Sequence, residues 1–291
     1  MQPTRSFSCP LEPRRRAVTL GIAAILAGAT ATYRGVFAQP AHLRIGGTGM
    51  ALAAIRRLGD ALIIAQPDLA VTVLPSLGTG GGLAAVQSGA IDIALAAREL
   101  IKAEVAKGLQ CSPYARTPIA FVVHAGVPVT NITLTEVADI LSGRRLTWRD
   151  GMPIRLVRRE PSDADWTLLR SQSPELAEAV RIALERPGLL TVATDQENAE
   201  ALERLPGAFG VLSIGQLRAE ARRVIPLMLD GVDPTVEALA AGRYAMLRNL
   251  HIVWREPSSA NVRRFQAFLR EEAAQALLAD LGHIPATGSA G

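Results

Sequence analysis

Cysteine is nearly absent from this chain. It has two in 291 residues. Cys9 lies in a leader-like segment, so only Cys111 remains beyond it, and a single thiol closes no internal disulfide. Lysine is equally scarce, with two (Lys102 and Lys107) among 31 basic residues. The arginine preference reads as base composition. Aromatic residues make up 4% of the chain and there are four histidines, His42, His124, His251 and His283. Those histidines show no metal-ligand spacing, which argues against a metal site. The Gly-x-Ser-x-Gly elbow of a hydrolase is missing, as is the lysine of a Walker A loop. Gly47-x-Gly49 follows a strand but lacks the third glycine of a dinucleotide fingerprint. The sequence is thus read as a non-enzyme without cofactor. Trp148, Trp166 and Trp254 are read as packing or surface residues. Basic clustering is also missing beyond the leader. The formal net charge is +4, and the first 38 residues carry all of it, through Arg5, Arg14, Arg15, Arg16 and Arg34 against Glu12. A neutral body is no phosphate-backbone binder, so nucleic acid is excluded as a partner.

Residues 1–38 have the organisation of an export signal. Three arginines precede an apolar run over residues 17–31, and Val36-Phe37-Ala38 offers small residues for cleavage before Gln39. Arg14-Arg15-Arg16 followed by Ala17-Val18 loosely fits a twin-arginine signal, with an ordinary Sec signal as the alternative. The run falls short of the ~20 residues that span a bilayer. The expected destination is the periplasm.

The body, 49% hydrophobic over the whole chain, alternates short apolar strands with helical patterns, which is α/β architecture. Its most informative stretch is Val71-Thr72-Val73-Leu74-Pro75-Ser76-Leu77-Gly78-Thr79-Gly80-Gly81-Gly82-Leu83. A β-branched run ends in a glycine loop carrying one hydroxyl, and a helix follows. Such a loop leaves backbone N–H groups free at a helix N-terminus and lets an anion come close. A second Gly/Thr loop, Gly46-Gly47-Thr48-Gly49, follows the first strand. Helices are expected at residues 50–65, 99–107, 134–141, 163–169, 174–184 and 197–205, and one long helix at 260–281. Strands are expected at 43–46, 71–74, 91–96, 117–124, 153–157, 190–193, 209–212 and 247–254.

These blocks, in this order, resemble the phosphate-binding subunit of ABC transporters. The two Gly loops match, as do Ile91-Asp92-Ile93-Ala94-Leu95-Ala96-Ala97-Arg98-Glu99-Leu100, Trp148-Arg149-Asp150, Leu156-Val157-Arg158-Arg159, Pro206-Gly207-Ala208-Phe209-Gly210-Val211, Asp230-Gly231-Val232-Asp233-Pro234-Thr235, Gly242-Arg243-Tyr244 and Gly282-His283-Ile284-Pro285. The resemblance spans nearly all of residues 43–286. It implies a two-lobe periplasmic binding protein fold of type II, with two hinge crossings and a ligand cleft. Residues 43–124 plus 241–291 would form lobe 1, and residues 125–240 lobe 2. It also implies capture of phosphate or a related oxyanion, an ABC importer permease as partner, and a monomer. The ligand set it implies is Thr48, Gly49, Met50, Thr79, Gly80 and Gly81 from lobe 1 and Arg159 from lobe 2, with Arg98, Asp163 and Asp165 as departures.

The departures matter. The family's acid near position 97 is Ala97 here, followed by Arg98. Its Ser-Gly-Thr at a lobe 2 helix start aligns with Asp163-Ala164-Asp165. Two like charges ~4 Å apart repel by roughly 4 kcal/mol at an effective dielectric near 20. A helix N-terminus favours an anion by only about 0.3–2 kcal/mol. Either Asp163 or Asp165 replaces the lost acid and accepts a ligand proton, or the ligand carries a positive group, or the site serves a sensor or structural role. The plain alternative is that Ser162 or Asp163 caps the helix and Asp165 faces solvent.

Overall fold

A computed structural model describes residues 41–286; the expected export signal lies outside the described residues. Strand β1 (Ala41–Gly47) buries Leu43 and Ile45 and leads into α1 (Gly49–Ala65). Helix α1 turns Leu52, Ile55, Leu58 and Leu62 to the core at the three-and-four spacing of one helical face. Then come β2 (Leu69–Val73), α2 (Gly78–Ser88), β3 (Ile93–Ala96), α3 (Lys102–Val105) and the 16-residue β4 (Leu109–His124). The middle of the chain holds β5 (Asn131–Ile132), α4 (Leu134–Ser142), β6 (Arg155–Arg159), α5 (Ala164–Arg170), α6 (Pro174–Glu185), β7 (Leu190–Val192), α7 (Asp195–Arg204), β8 (Ala208–Ser213), α8 (Ile214–Ala219), β9 (Val224–Pro226), β10 (Met228–Leu229) and α9 (Val236–Ala240). The chain closes with β11 (Leu247–Arg255), α10 (Ala260–Phe268), α11 (Glu272–Asp280) and β12 (Ile284–Pro285).

One sheet runs through the described residues in the order β2-β1-β3-β11-β4-β8-β6-β7, with β9 and β12 also paired to β4. Strand β4 belongs to both halves of it. Leu109 to Pro118 pair with β11, and Ile119 to Val123 pair with β8. The return crossing lies beside it, where Ile119 N–H donates to the Met246 carbonyl. Apolar cores gather on either side. One packs Leu43, Ile45, Ile55, Leu58 and Leu95 against Ile252, Phe265 and Leu278; the other packs Phe121, Val137, Trp148, Trp166, Val180 and Phe209. All of this belongs to a single compact unit.

Two expectations need correction. The long helix over residues 260–281 is two helices, α10 and α11, with a turn at Leu269 to Glu271. The strand expected at 117–124 begins eight residues earlier, at Leu109. There Pro113 sits at a bulge: Leu250 pairs with Ala115 and His251 with Pro113, leaving Tyr114 as the extra residue.

Two glycines make the approach of α2 to the sheet possible. Gly47 has φ of +133°, and a Cβ there would lie 2.2 Å from the Leu95 carbonyl oxygen. A Cβ on Gly82 would lie 2.8 Å from the Gly47 Cα. The glycine loop therefore begins a helix seated directly on β1.

Candidate functional site

Both Gly/Thr loops open at C-terminal ends of parallel strands, where α/β folds hold ligands. They border a cleft of about 610 Å3 lined by Thr48, Met50, residues 76–81, Ala97 and Arg98 on one wall, and by Arg159, Glu160, Ser162, Asp163, Ala164 and residues 193–195 on the other. The first wall belongs to the β1–β3 half of the sheet and the second to the β6–β8 half.

Helix α2 points its N-terminus into this space. Leu77 stands at the N-cap position and supplies no side-chain cap, so the first-turn amides are open to a ligand. Thr79 Oγ1 accepts a hydrogen bond from Ala97 N–H at 3.1 Å, which leaves its own proton available. A Cβ on Gly80 would touch nothing within 4 Å. Packing does not demand glycine there.

Helix α1 is different. Its N-cap Thr48 makes no local cap, yet its N-terminus already holds a carboxylate. Asp195, at the start of α7, extends its carboxylate to them. Met50 N–H donates to Asp195 Oδ2 at 2.9 Å and Thr48 Oγ1 donates to the same oxygen at 3.5 Å. Arg159 Nη2 donates to Oδ1 at 3.0 Å. Local sequence sets this up. Thr194 caps α7 by accepting from Glu197 N–H at 3.1 Å, and the Glu197 carboxylate accepts from Thr194 N–H at 3.1 Å. That capping box makes Asp195 the first helical residue, aimed away from its own helix. Asp195 was missed in the sequence because the helix was expected to start at Glu197; the Thr-x-x-Glu pattern at 194–197 was the available signal.

Arg159, at the end of β6, has four of its five N–H donors engaged. It binds Asp163 Oδ2 through Nε at 2.9 Å and Nη2 at 2.5 Å, the Thr194 carbonyl through Nη1, and Asp195. Asp163 caps α5 by accepting from Asp165 N–H at 2.8 Å. The capping alternative therefore describes Asp163. Asp165 neither faces solvent nor lines the cleft: it is buried behind the wall, where Arg248 Nη2 donates to its Oδ1 at 2.6 Å. Arg98 lines the cleft but forks onto Glu104 at 2.8 and 2.9 Å. Thr48, Met50, Thr79, Gly80, Gly81, Arg98, Arg159 and Asp163 are thus brought together around one space, Gly49 sits just behind it, and Asp165 lies apart.

Charge in this region is finely balanced. Three carboxylates (Asp163, Asp165, Asp195) share two guanidiniums (Arg159, Arg248). Burial pushes the Asp165 carboxyl up to about 6, aided by Asp163 and Asp195 against the pull of Arg248 and Arg159. Burial likewise raises Asp195, opposed by Arg159. Burial works against the charge on Arg159, but Asp195, Asp163 and Asp165 outweigh it and hold its pKa above the ordinary guanidinium value. A second anion placed ~4 Å from ionised Asp195 would meet repulsion of roughly 4 kcal/mol, more than the ~2 kcal/mol a partly buried helix end returns. The α1 end therefore holds one anion at a time.

A family model described as a PBP superfamily domain matches residues 29–274. The phosphate-binding protein PstS of Borreliella burgdorferi is 23% identical over 199 residues, covering 66% of this chain and 71% of its own. The phosphate-binding protein PstS of Bacillus subtilis is 24% identical over 234 residues, covering 76% and 73%. Among solved structures, a putative phosphate ABC transporter substrate-binding protein with bound phosphate from Clostridium perfringens superposes with a TM-score of 0.72 at 21% identity, covering 84% of this chain and 100% of that one. An ABC-type phosphate transport receptor from Vibrio cholerae gives 0.58 at 23%, covering 84% and 99%. These likenesses establish the architecture as the α/β, type II two-lobe fold.

Proposed function

The chain belongs to the PBP superfamily, and from that membership we propose that it is an exported solute-binding protein capturing phosphate or a related small oxyanion for an ABC importer. The lobes, read from the sequence as residues 43–124 plus 241–291 and residues 125–240, have their crossings about six residues away from those limits, at Pro118–Ile119 within β4 and at Met246–Leu247, because Ile119 to Val123 pair with β8 and Tyr244 and Met246 pack in the second core; they close on solute by hinge motion. It acts in the periplasm as a monomer and performs no catalysis. One observation carries the reading: the uncapped N-terminus of α2, with the Thr79 hydroxyl, opens into the same cleft as Arg159. Thr48, Gly49, Met50, Thr79, Gly80, Gly81 and Arg159 are the ligand-binding residues, with Arg98 and Asp163 at the rim. The names of the similar proteins support phosphate as the first ligand to try.

Calorimetry of the processed chain with phosphate, phosphonate, sulfate and molybdate tests this. The expected result is at least one oxyanion bound at micromolar affinity or tighter, about −8 kcal/mol, and weakened by Thr79→Val. No heat from any of the four overturns it.

A second reading follows from the acids. Glu160, Asp163 and Asp195 line the cleft beside two arginines that are already paired. That excess favours a ligand carrying an amine with its oxyanion, such as an amino-phosphonate. A thermal-shift screen in which only amine-bearing compounds raise the melting point would select it over plain phosphate.

A further inference from the structure

Asp195 is held as a small bound anion would be held. One carboxylate oxygen takes backbone N–H and hydroxyl donors from the α1 N-terminus, and the other takes a guanidinium. The donors come from both halves of the sheet: Thr48 and Met50 from one, Arg159 from the other. Its side chain is 13% exposed. Room for it is made by glycine, since a Cβ on Gly49 would lie 2.7 Å from Asp195 Oδ2. The next residue reinforces the contact, with Gln196 Nε2 donating to the Gly49 carbonyl at 2.9 Å. Nothing about folding α7 requires this arrangement, because Thr194 and Glu197 already cap that helix.

We propose that Asp195 is a resident anion of the α1 end of the cleft. It holds the two halves together when no solute is bound, and it determines which solutes the cleft accepts. A free oxyanion reaches Thr48, Gly49, Met50 and Arg159 only when Asp195 leaves. A solute that leaves it in place is confined to the α2 end, at residues 78–81. The specificity part rests on the oxyanion reading of the cleft; the clasp between the halves does not.

The two parts are separated by two measurements on wild type, Asp195→Ala and the near-isosteric Asp195→Asn. Small-angle scattering of ligand-free protein reads the clasp: both variants are expected to show a larger radius of gyration, Asp195→Ala the larger change, with native circular dichroism retained. Titration with inorganic phosphate reads the specificity: affinity is expected to rise at least tenfold in Asp195→Ala, and phosphate returns its radius to the wild-type value. An unchanged radius in both variants overturns the proposal, as does a measurable phosphate affinity that is equal to or weaker than wild type. Variants that open while no form binds any of the four oxyanions uphold the clasp and overturn the oxyanion reading instead.

Discussion

His283 is fully buried, and neither ring nitrogen has a hydrogen-bond partner among the described residues. Burial pushes its pKa down to about 4. The imidazole is neutral when folded and charges only on unfolding as pH falls below its ordinary value of about 6.5. With the folded pKa below the unfolded one, the unfolded chain binds more protons between those values. The resulting stability is complete above pH 6.5 and drains away as pH falls towards 4, by about 3 kcal/mol. Urea unfolding across that range should show wild type losing this amount relative to His283→Leu. Arg159 is the second residue with a sharp expectation. Removing it in Arg159→Met leaves Asp163 and Asp195 facing each other without a cation. Breaking a buried pair in this way costs roughly 3–5 kcal/mol. The loss at pH 7, read by urea unfolding, should shrink as pH is lowered, because burial raises the Asp195 pKa and the carboxyl takes up a proton more readily.

Helix α2 gives the clearest contrast between two glycines. Gly82→Ala drives a Cβ into the Gly47 backbone, and overpacking of this kind costs about 1–3 kcal/mol, visible as a lower thermal midpoint. Gly80→Ala meets nothing and should leave the midpoint unchanged or slightly raised, since alanine restricts the unfolded chain. Elements like this one were legible because their signals are local. The Gly loop, Thr133 and Glu136 closing the start of α4, and Gly143 ending it are all short-range chemistry. The misreadings were settled by distant partners. Residues 260–281 contain no glycine or proline to break a helix, yet a straight run would reach about 33 Å. The turn at Leu269 lets Phe265 and Phe268 of α10 and Leu278 of α11 share one core. Pro113 belongs to a strand only because β11 runs beside it. The site divides in the same way: its Gly loops and Arg159 are motifs, whereas Asp195 meets Met50 across 145 residues.

For the molecule as a whole, β4 is the decisive element. Its first part completes one half of the sheet and its second part the other. Thr117, at the crossing, accepts from Gly215 N–H and donates to the Gly282 carbonyl, tying the halves at one point. Neither half has a complete sheet without the shared strand. Thermal unfolding should therefore be one transition, with a calorimetric to van 't Hoff enthalpy ratio near one; two resolved transitions would show that the halves unfold separately.

Asp195 is also tethered, and a tethered group cannot be diluted. A carboxylate carried on the chain competes at an effective concentration set by the fold itself, whatever surrounds the protein. An arriving solute must outbid that constant local supply, so the threshold for loading is written into chain geometry and stays the same in lean and rich media alike.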